Sequence, residues 1–279
     1  MATKRNRDDQ RDSRSIGRED VAPKARALQE TTSRSRASAK PPTAKGGLKE
    51  RARRIHERLS EAEPAPKCEL DFRNGFELLV ATILSAQSTD RMVNQVAPEV
   101  FRRWPTPQAL AGAAQEEVEA VVKRTGFFRN KAKSIRTAAQ AIVEKHRGEV
   151  PRTMEELIEL PGVARKTANV VLGTAYRITT GITVDTHVGR VARRLELTQE
   201  EDPTKVEQAL MALFPREAWI DTGHRLLLHG RYVCTARASD CAHCPVNELC
   251  PSAAAKPEGP WPERAERERR RVESRGEAE

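Results

Sequence analysis

Thr153-Met154-Glu155-Glu156-Leu157-Ile158-Glu159-Leu160-Pro161-Gly162-Val163-Ala164-Arg165-Lys166 holds the end of one helix and the start of the next. Thr153 and Glu156 have capping-box spacing, in which the hydroxyl accepts from a first-turn amide and the glutamate reaches back. The helix carries Leu157, Ile158 and Leu160 until Pro161-Gly162 ends it, because proline lacks a donor and cannot continue the ladder. A second helix starts near Lys166. Its unpaired first amides point outward at the positive end of the helix dipole, beside Arg165, which suits a phosphate. A corner packed only for stability explains the same spacing equally well.

Ala168, Val171, Leu172, Ala175 and Tyr176 continue the helical pattern as one apolar stripe, and Lys166 projects roughly opposite it. The neighbouring Arg165 and the helix end both disfavour a protonated Lys166, and a lysine with a lowered pKa is a nucleophile for carbon. From the residues alone, a solvated or phosphate-bound lysine is the simpler reading. Nineteen residues on, Ile182-Thr183-Val184-Asp185-Thr186-His187-Val188 leads into another helix with Asp185 placed as its N-cap. One helix and its return loop fill that gap, so Asp185 and Lys166 can face one cleft. There the carboxylate would steady developing positive charge or move a proton. His187, in the first turn, is as readily packed as catalytic.

Phe76, Leu79, Val80, Ile83 and Leu84 show the same spacing, as do Val188, Val191, Ala192 and Leu195, and Val206, Ala209, Leu210 and Leu213. Sustained period-two alternation is scarce, so the fold is read as all-α. Residues 1–47 are rich in Arg, Lys, Ser, Thr, Pro and Gly. They bury too little apolar surface to offset their ordering entropy and are read as a disordered basic arm. Residues 256–279, with acids and bases in near balance, are read as a solvated charged tail.

A formal charge of +9 points to a polyanionic partner, most simply nucleic acid. No long apolar run suggests a membrane partner. The first residues are charged and include acids, unlike a secretory or mitochondrial leader, so a cytoplasmic, nucleoid-associated location is expected. In that reducing compartment Cys234, Cys241, Cys244 and Cys250, packed into seventeen residues, read as metal ligands rather than disulfides. Four thiolates suit zinc or a [4Fe–4S] cluster. Structural zinc usually shows two short cysteine pairs, and only Cys241 and Cys244 form one, which favours iron–sulfur.

Taken together, these motifs resemble the endonuclease III family of helix-hairpin-helix DNA glycosylases. The resemblance runs from about Leu48 to Ser252. It rests on Leu84-Ser85-Ala86-Gln87-Ser88-Thr89-Asp90, on the stretch from Leu160 to Val171, on Val184-Asp185-Thr186-His187, on Leu228-His229-Gly230-Arg231-Tyr232 and on the four cysteines. It implies a six-helix bundle over 68–179 that contains the hairpin, and a helical iron–sulfur domain built from 48–67 and 180–255. It implies Lys166 as a Schiff-base lysine, Asp185 as the catalytic aspartate and the four cysteines as ligands of a [4Fe–4S] cluster. Gln87 would enter the gap left by a flipped base, and Phe127 falls near the family's wedge residue. Gly162, Ala164, Arg165, His187 and Arg237 would contact DNA. The chain departs from the family pattern at Ala164, where a second glycine is usual. An alanine forced to positive φ there would distort the hairpin.

The implied activity is that of a bifunctional DNA glycosylase and AP lyase. It would remove oxidised pyrimidines from double-stranded DNA and cleave abasic sites by β-elimination, acting as a monomer. Two other readings stand beside it. An adenine-specific mismatch glycosylase shares the scaffold and cluster but lacks a lysine at the Schiff-base position. A non-enzymatic, structure-specific DNA-binding protein would use the hairpin and a zinc site.

Overall fold

The computed structural model describes residues 47–275. The basic arm expected over 1–47 lies, Gly47 apart, outside the described residues. Among them the backbone is helical and contains no strand. The helices are α1 (Leu48–Ala62), α2 (Gly75–Leu84), α3 (Asp90–Arg103), α4 (Pro107–Ala111), α5 (Gln115–Val122), α6 (Phe128–His146), α7 (Met154–Ile158), α8 (Arg165–Val170), α9 (Thr186–Arg194), α10 (Pro203–Leu213), α11 (Trp219–Tyr232) and α12 (Trp261–Glu273).

Side-chain oxygens start many of these helices. Asn74, Thr89, Thr106, Thr153, Asp185 and Asp202 each accept from a first-turn amide of the helix that follows. At Thr153 the capping box closes differently from the usual form. The hydroxyl accepts from the Glu156 amide, but the Glu156 carboxylate accepts from that hydroxyl at 2.6 Å rather than from the Thr153 amide.

The apolar stripes pack into two clusters. One gathers Leu78, Leu79 and Leu84 of α2 with Val93 and Val100 of α3, Ile135 and Ile142 of α6, Leu157 of α7 and Leu172. The other gathers Ile55 and Leu59 of α1 with Val188 and Val191 of α9, Val206 and Leu210 of α10, Leu226 of α11, and Val246 and Leu249 beside the cysteines. From Leu48 the described residues start in the second cluster, pass through the first and return. Each fully buried leucine or isoleucine contributes roughly 1.5–3 kcal/mol, so both clusters are substantial.

The expectation of a solvated tail from 256 onward is corrected here. α12 packs along α1, with Arg264, Ala265 and Glu268 buried. A charge-rich sequence hides this because its buried groups are themselves charged. Glu268 accepts from His229 Nδ1 of α11 at 2.8 Å, both residues almost fully enclosed. Arg264 donates to the Cys244 carbonyl at 2.6 Å and pairs with Glu248. Removing one partner of a buried pair leaves the other uncompensated. Glu268→Ala is therefore expected to lower stability by about 3 kcal/mol, read as a reduced midpoint in urea unfolding; an unchanged midpoint would show that α12 is dispensable.

Candidate active site

The hairpin between α7 and α8 turns on one glycine. Gly162 has φ +78°, and a Cβ added there would lie 2.9 Å from Ser134 Cβ. Ala164, the N-cap of α8, has φ −95° and ψ 168°, extended backbone that any residue adopts. The distortion anticipated at Ala164 is absent, because the position needs no left-handed residue. Arg165 does not stand free at the helix start. Its guanidinium donates to Glu207 of α10 at 2.8 Å, and that carboxylate raises its pKa. Glu207 is buried and also accepts from Asn169 Nδ2 at 2.9 Å. Asn169 in turn accepts from the Thr180 hydroxyl at 2.8 Å.

Lys166 sits between Arg165 and Asn169, exposed and with no hydrogen-bond or ion-pair partner among the described residues. It lines a cavity of about 80 Å³ together with Asp185, Asn169, His224, Glu69 and Arg231. Asp185 is half-buried, and its Oδ1 accepts from the amides of His187 and Val188, both at 2.8 Å. That caps α9 with one oxygen and leaves Oδ2 outside the cap. Capping and a role in the cavity are thus compatible in one side chain. His187 itself lies against α11, its Nδ1 3.3 Å from the Arg190 guanidinium, and a Cβ on Gly230 would come within 3.0 Å of its own Cβ. This is a packed residue.

Sequence reasoning missed several residues of this cavity. After α8 the helix widens into a π turn over Val171–Ala175, a feature often found at functional sites. Thr174, within that turn, has its hydroxyl 3.2 Å from His224 Nε2, and burial lowers the His224 pKa. Arg231 bridges Glu69 and Asp90, at 2.6 Å from the latter, and Tyr232 donates to Glu69. Arg231 and Tyr232 lie in the Leu228–Tyr232 stretch, which was a signal of importance without a role. Glu207 gave no signal, since a glutamate in an amphipathic helix reads as solvated.

Gln87 and Phe127 are two of six exposed non-glycine residues on left-handed backbone among the described residues. Gln87, in the α2–α3 loop, has φ +53°, and Ser85 of that loop and Asp90, which opens α3, line the cavity. Phe127, before α6, has φ +46° and is 64 % exposed. A non-glycine residue at positive φ is uncommon, and an exposed aromatic there is more so.

The four cysteines line a second cavity of about 370 Å³. Cys250 is pushed up to about 11, first by burial and then by the neighbouring cysteine sulfurs. Among the described residues no three His, Cys, Asp or Glu side chains converge closely enough to hold a single ion. Four thiols lining one space are a soft donor set of the kind that a metal centre takes. Arg194 at the end of α9 organises the Cys234–Cys241 loop. It donates to Cys234 Sγ at 3.3 Å, to the Thr235 carbonyl at 2.7 Å and to the Ser239 hydroxyl at 2.7 Å. Arg237 is exposed on that loop.

Residues 80–216 match the HhH-GPD superfamily of base excision DNA repair proteins. Endonuclease III of Synechocystis is 51% identical over 74% of this chain and 94% of its own length. That of Bacillus subtilis is 44% identical over 70% of this chain and 89% of its own. A solved non-covalent complex of an endonuclease III with DNA superposes with a TM-score of 0.71 at 41% identity, covering 74% of this chain and 96% of that one.

The two hairpin positions make opposite predictions. Gly162→Ala should cost about 1–2 kcal/mol of stability, from left-handed strain and the contact with Ser134. Ala164→Gly should cost nothing and raise stability by up to about 1 kcal/mol, since glycine is the better N-cap and the extended backbone puts no strain on either residue. Thermal unfolding of both variants distinguishes the positions; equal losses would refute the backbone assignment.

Proposed function

The chain belongs to the endonuclease III family of base-excision DNA glycosylases and AP lyases, and from that premise we propose that Lys166 and Asp185 carry its chemistry. The observation that supports this most is their sharing of one cavity. The lysine there is exposed and unpartnered, and the aspartate uses only one oxygen for its helix cap.

A duplex hides the bond between sugar and base, so the damaged nucleotide leaves the stack, at lowest cost for a weakly stacked lesion. Gln87 and Phe127 occupy the gap it leaves. The neutral amine of Lys166 forms a bond to C1′ as the bond from C1′ to the base breaks, and the base departs with a proton. Asp185 steadies the positive charge that develops on the sugar and passes protons to and from the amine. Loss of the ring oxygen from C1′ gives a Schiff base. Its electron demand acidifies the C2′ hydrogens, and removal of one expels the 3′ phosphate by β-elimination. Oxidised or ring-saturated pyrimidines and abasic sites are the substrates of this reading.

Cys234, Cys241, Cys244 and Cys250 would hold a [4Fe–4S] cluster. When bound it would supply a rigid framework for the Cys234–Cys241 loop and take no part in base excision. The exposed guanidinium of Arg237 on that loop, and the amides around Gly162 and Ala164 in the hairpin, would meet phosphates on either side of the lesion. Arg165 contributes less directly, since Glu207 already holds it.

Three measurements test the assignment. Lys166→Ala should retain binding to abasic duplex but yield no covalent complex on borohydride reduction; trapping that persists removes Lys166 from the reaction. Asp185→Asn should keep the helix cap, because asparagine caps as well, and reduce glycosylase turnover on the order of 10²-fold. If turnover does not fall, Asp185 is a cap alone. The purified chain should be yellow-brown and contain iron and acid-labile sulfide, whereas a colourless zinc-loaded protein would reverse the cluster assignment.

A further inference from the structure

The turn that carries Phe127 contains a charged group that the reaction above does not use. Lys131, in the first turns of α6, is only 5 % exposed. An ammonium there is disfavoured twice, by desolvation and by the positive end of the helix dipole, and burial lowers its pKa. Its Nζ donates to the Thr125 carbonyl at 2.6 Å. Its backbone amide donates to the Phe127 carbonyl at 3.1 Å. One residue thus grips the chain on both sides of Gly126 and Phe127, the two consecutive positions at positive φ. Thr125 is itself buried, its hydroxyl donating to the Val122 carbonyl at 2.8 Å. Strained backbone of this kind persists where its surroundings over-determine it. Here the surroundings are an anchored threonine and a buried lysine.

We infer that Lys131 is a positioning residue for base extrusion: it fixes the 125–127 turn so that the Phe127 ring is held out, ready to enter the base stack. A solvated lysine could not do this, and an apolar side chain would leave the Thr125 carbonyl without its donor. The inference rests on the wedge role proposed for Phe127.

Two measurements on the full chain test it. The first is hydrogen-exchange protection of the Gly126 amide, which donates to the Lys123 carbonyl, and of the amide at position 131. Lys131→Met is expected to lower both about tenfold; unchanged protection overturns the clamp, whether or not the protein is active. The second compares single-turnover excision of an oxidised pyrimidine from duplex DNA with strand cutting at an abasic site, which has no base to unstack. Lys131→Met should slow excision about tenfold while abasic cutting stays within about twofold. Lys131→Arg, which keeps a charged donor, should recover most of the loss. In a Phe127→Ala background Lys131→Met should add nothing, because the two act on one event. Equal losses in both reactions, or full additivity with Phe127→Ala, overturn the positioning role. Where Lys131→Met does not fold, Lys131→Gln takes its place with the same outcomes. A native chain that neither excises nor cuts defeats the function proposed above, and the exchange measurement still decides the clamp.

Discussion

Lys166 stands where it does because a buried carboxylate holds the residues around it. Glu207 of α10 accepts from Arg165, immediately before the lysine, and from Asn169, one turn after it. The same carboxylate approaches Gly181 so closely that a Cβ there would lie 1.8 Å from Oε1. Gly181 begins the segment that ends in Asp185. One side chain therefore bonds to the helix bearing the proposed nucleophile and lies against the glycine that opens the approach to the proposed carboxylate. A buried carboxylate is expensive unless it is paired and hydrogen-bonded, and Glu207 is both. Its demand for partners gives the hairpin a single seating on α10, and holding reacting groups in one geometry is worth several kcal/mol of barrier.

α9 and α11 extend that order to the cysteines. α9 begins at Asp185 and ends at Arg194, which donates to Cys234 and to the loop that follows it. α11 presents different faces along its length. Gly223, His224 and Arg231 line the Lys166 cavity. Arg225 and His229 turn the other way, toward the Glu63 carbonyl and Glu268. Gly230 lets α9 and α11 approach until His187 and Val191 would touch a Cβ. The cysteine cavity and the Lys166 cavity thus both take lining residues from α11, and α9 runs between Asp185 in one and Arg194 in the other.

The parts of this arrangement legible in the sequence were those governed by period and by punctuation. The stripes at Val188, Val191, Ala192 and Leu195 and at Phe76, Leu79, Val80, Ile83 and Leu84 are buried as their spacing requires. Pro161-Gly162 ends α7, and Asp185 caps α9. What stayed hidden were buried charges. Glu207, Glu268, Arg264 and Lys131 are nearly enclosed, yet each is a charged residue that, in an amphipathic or charge-rich helix, reads as solvated. Pairing reverses the usual preference of such residues, and a pair such as His229 and Glu268, thirty-nine residues apart, leaves no local trace. The π turn at Val171–Ala175 was hidden for another reason. Its apolar spacing also fits an ordinary α-helix, so the period carries no mark of the wider form.

The two residues proposed to enter the DNA stack show why a site of this kind departs from local preference. A side chain that is to fill the space of an absent base must be exposed and rigid together, and ordinary helix or turn positions supply one property without the other. Left-handed backbone at the mouth of a helix supplies both. It throws the side chain clear of the surface, and it is narrow in conformational space, so the residue has few alternatives. The strain must be held from below. At Phe127 the holding groups are the buried Thr125 and Lys131. At Gln87 they are the C-terminal turn of α2, where the Ser85 hydroxyl donates to the Thr82 carbonyl at 2.9 Å, and the Thr89 cap of α3. In each case polar side chains beneath the loop bond within it, while the proposed stacking residue stays exposed.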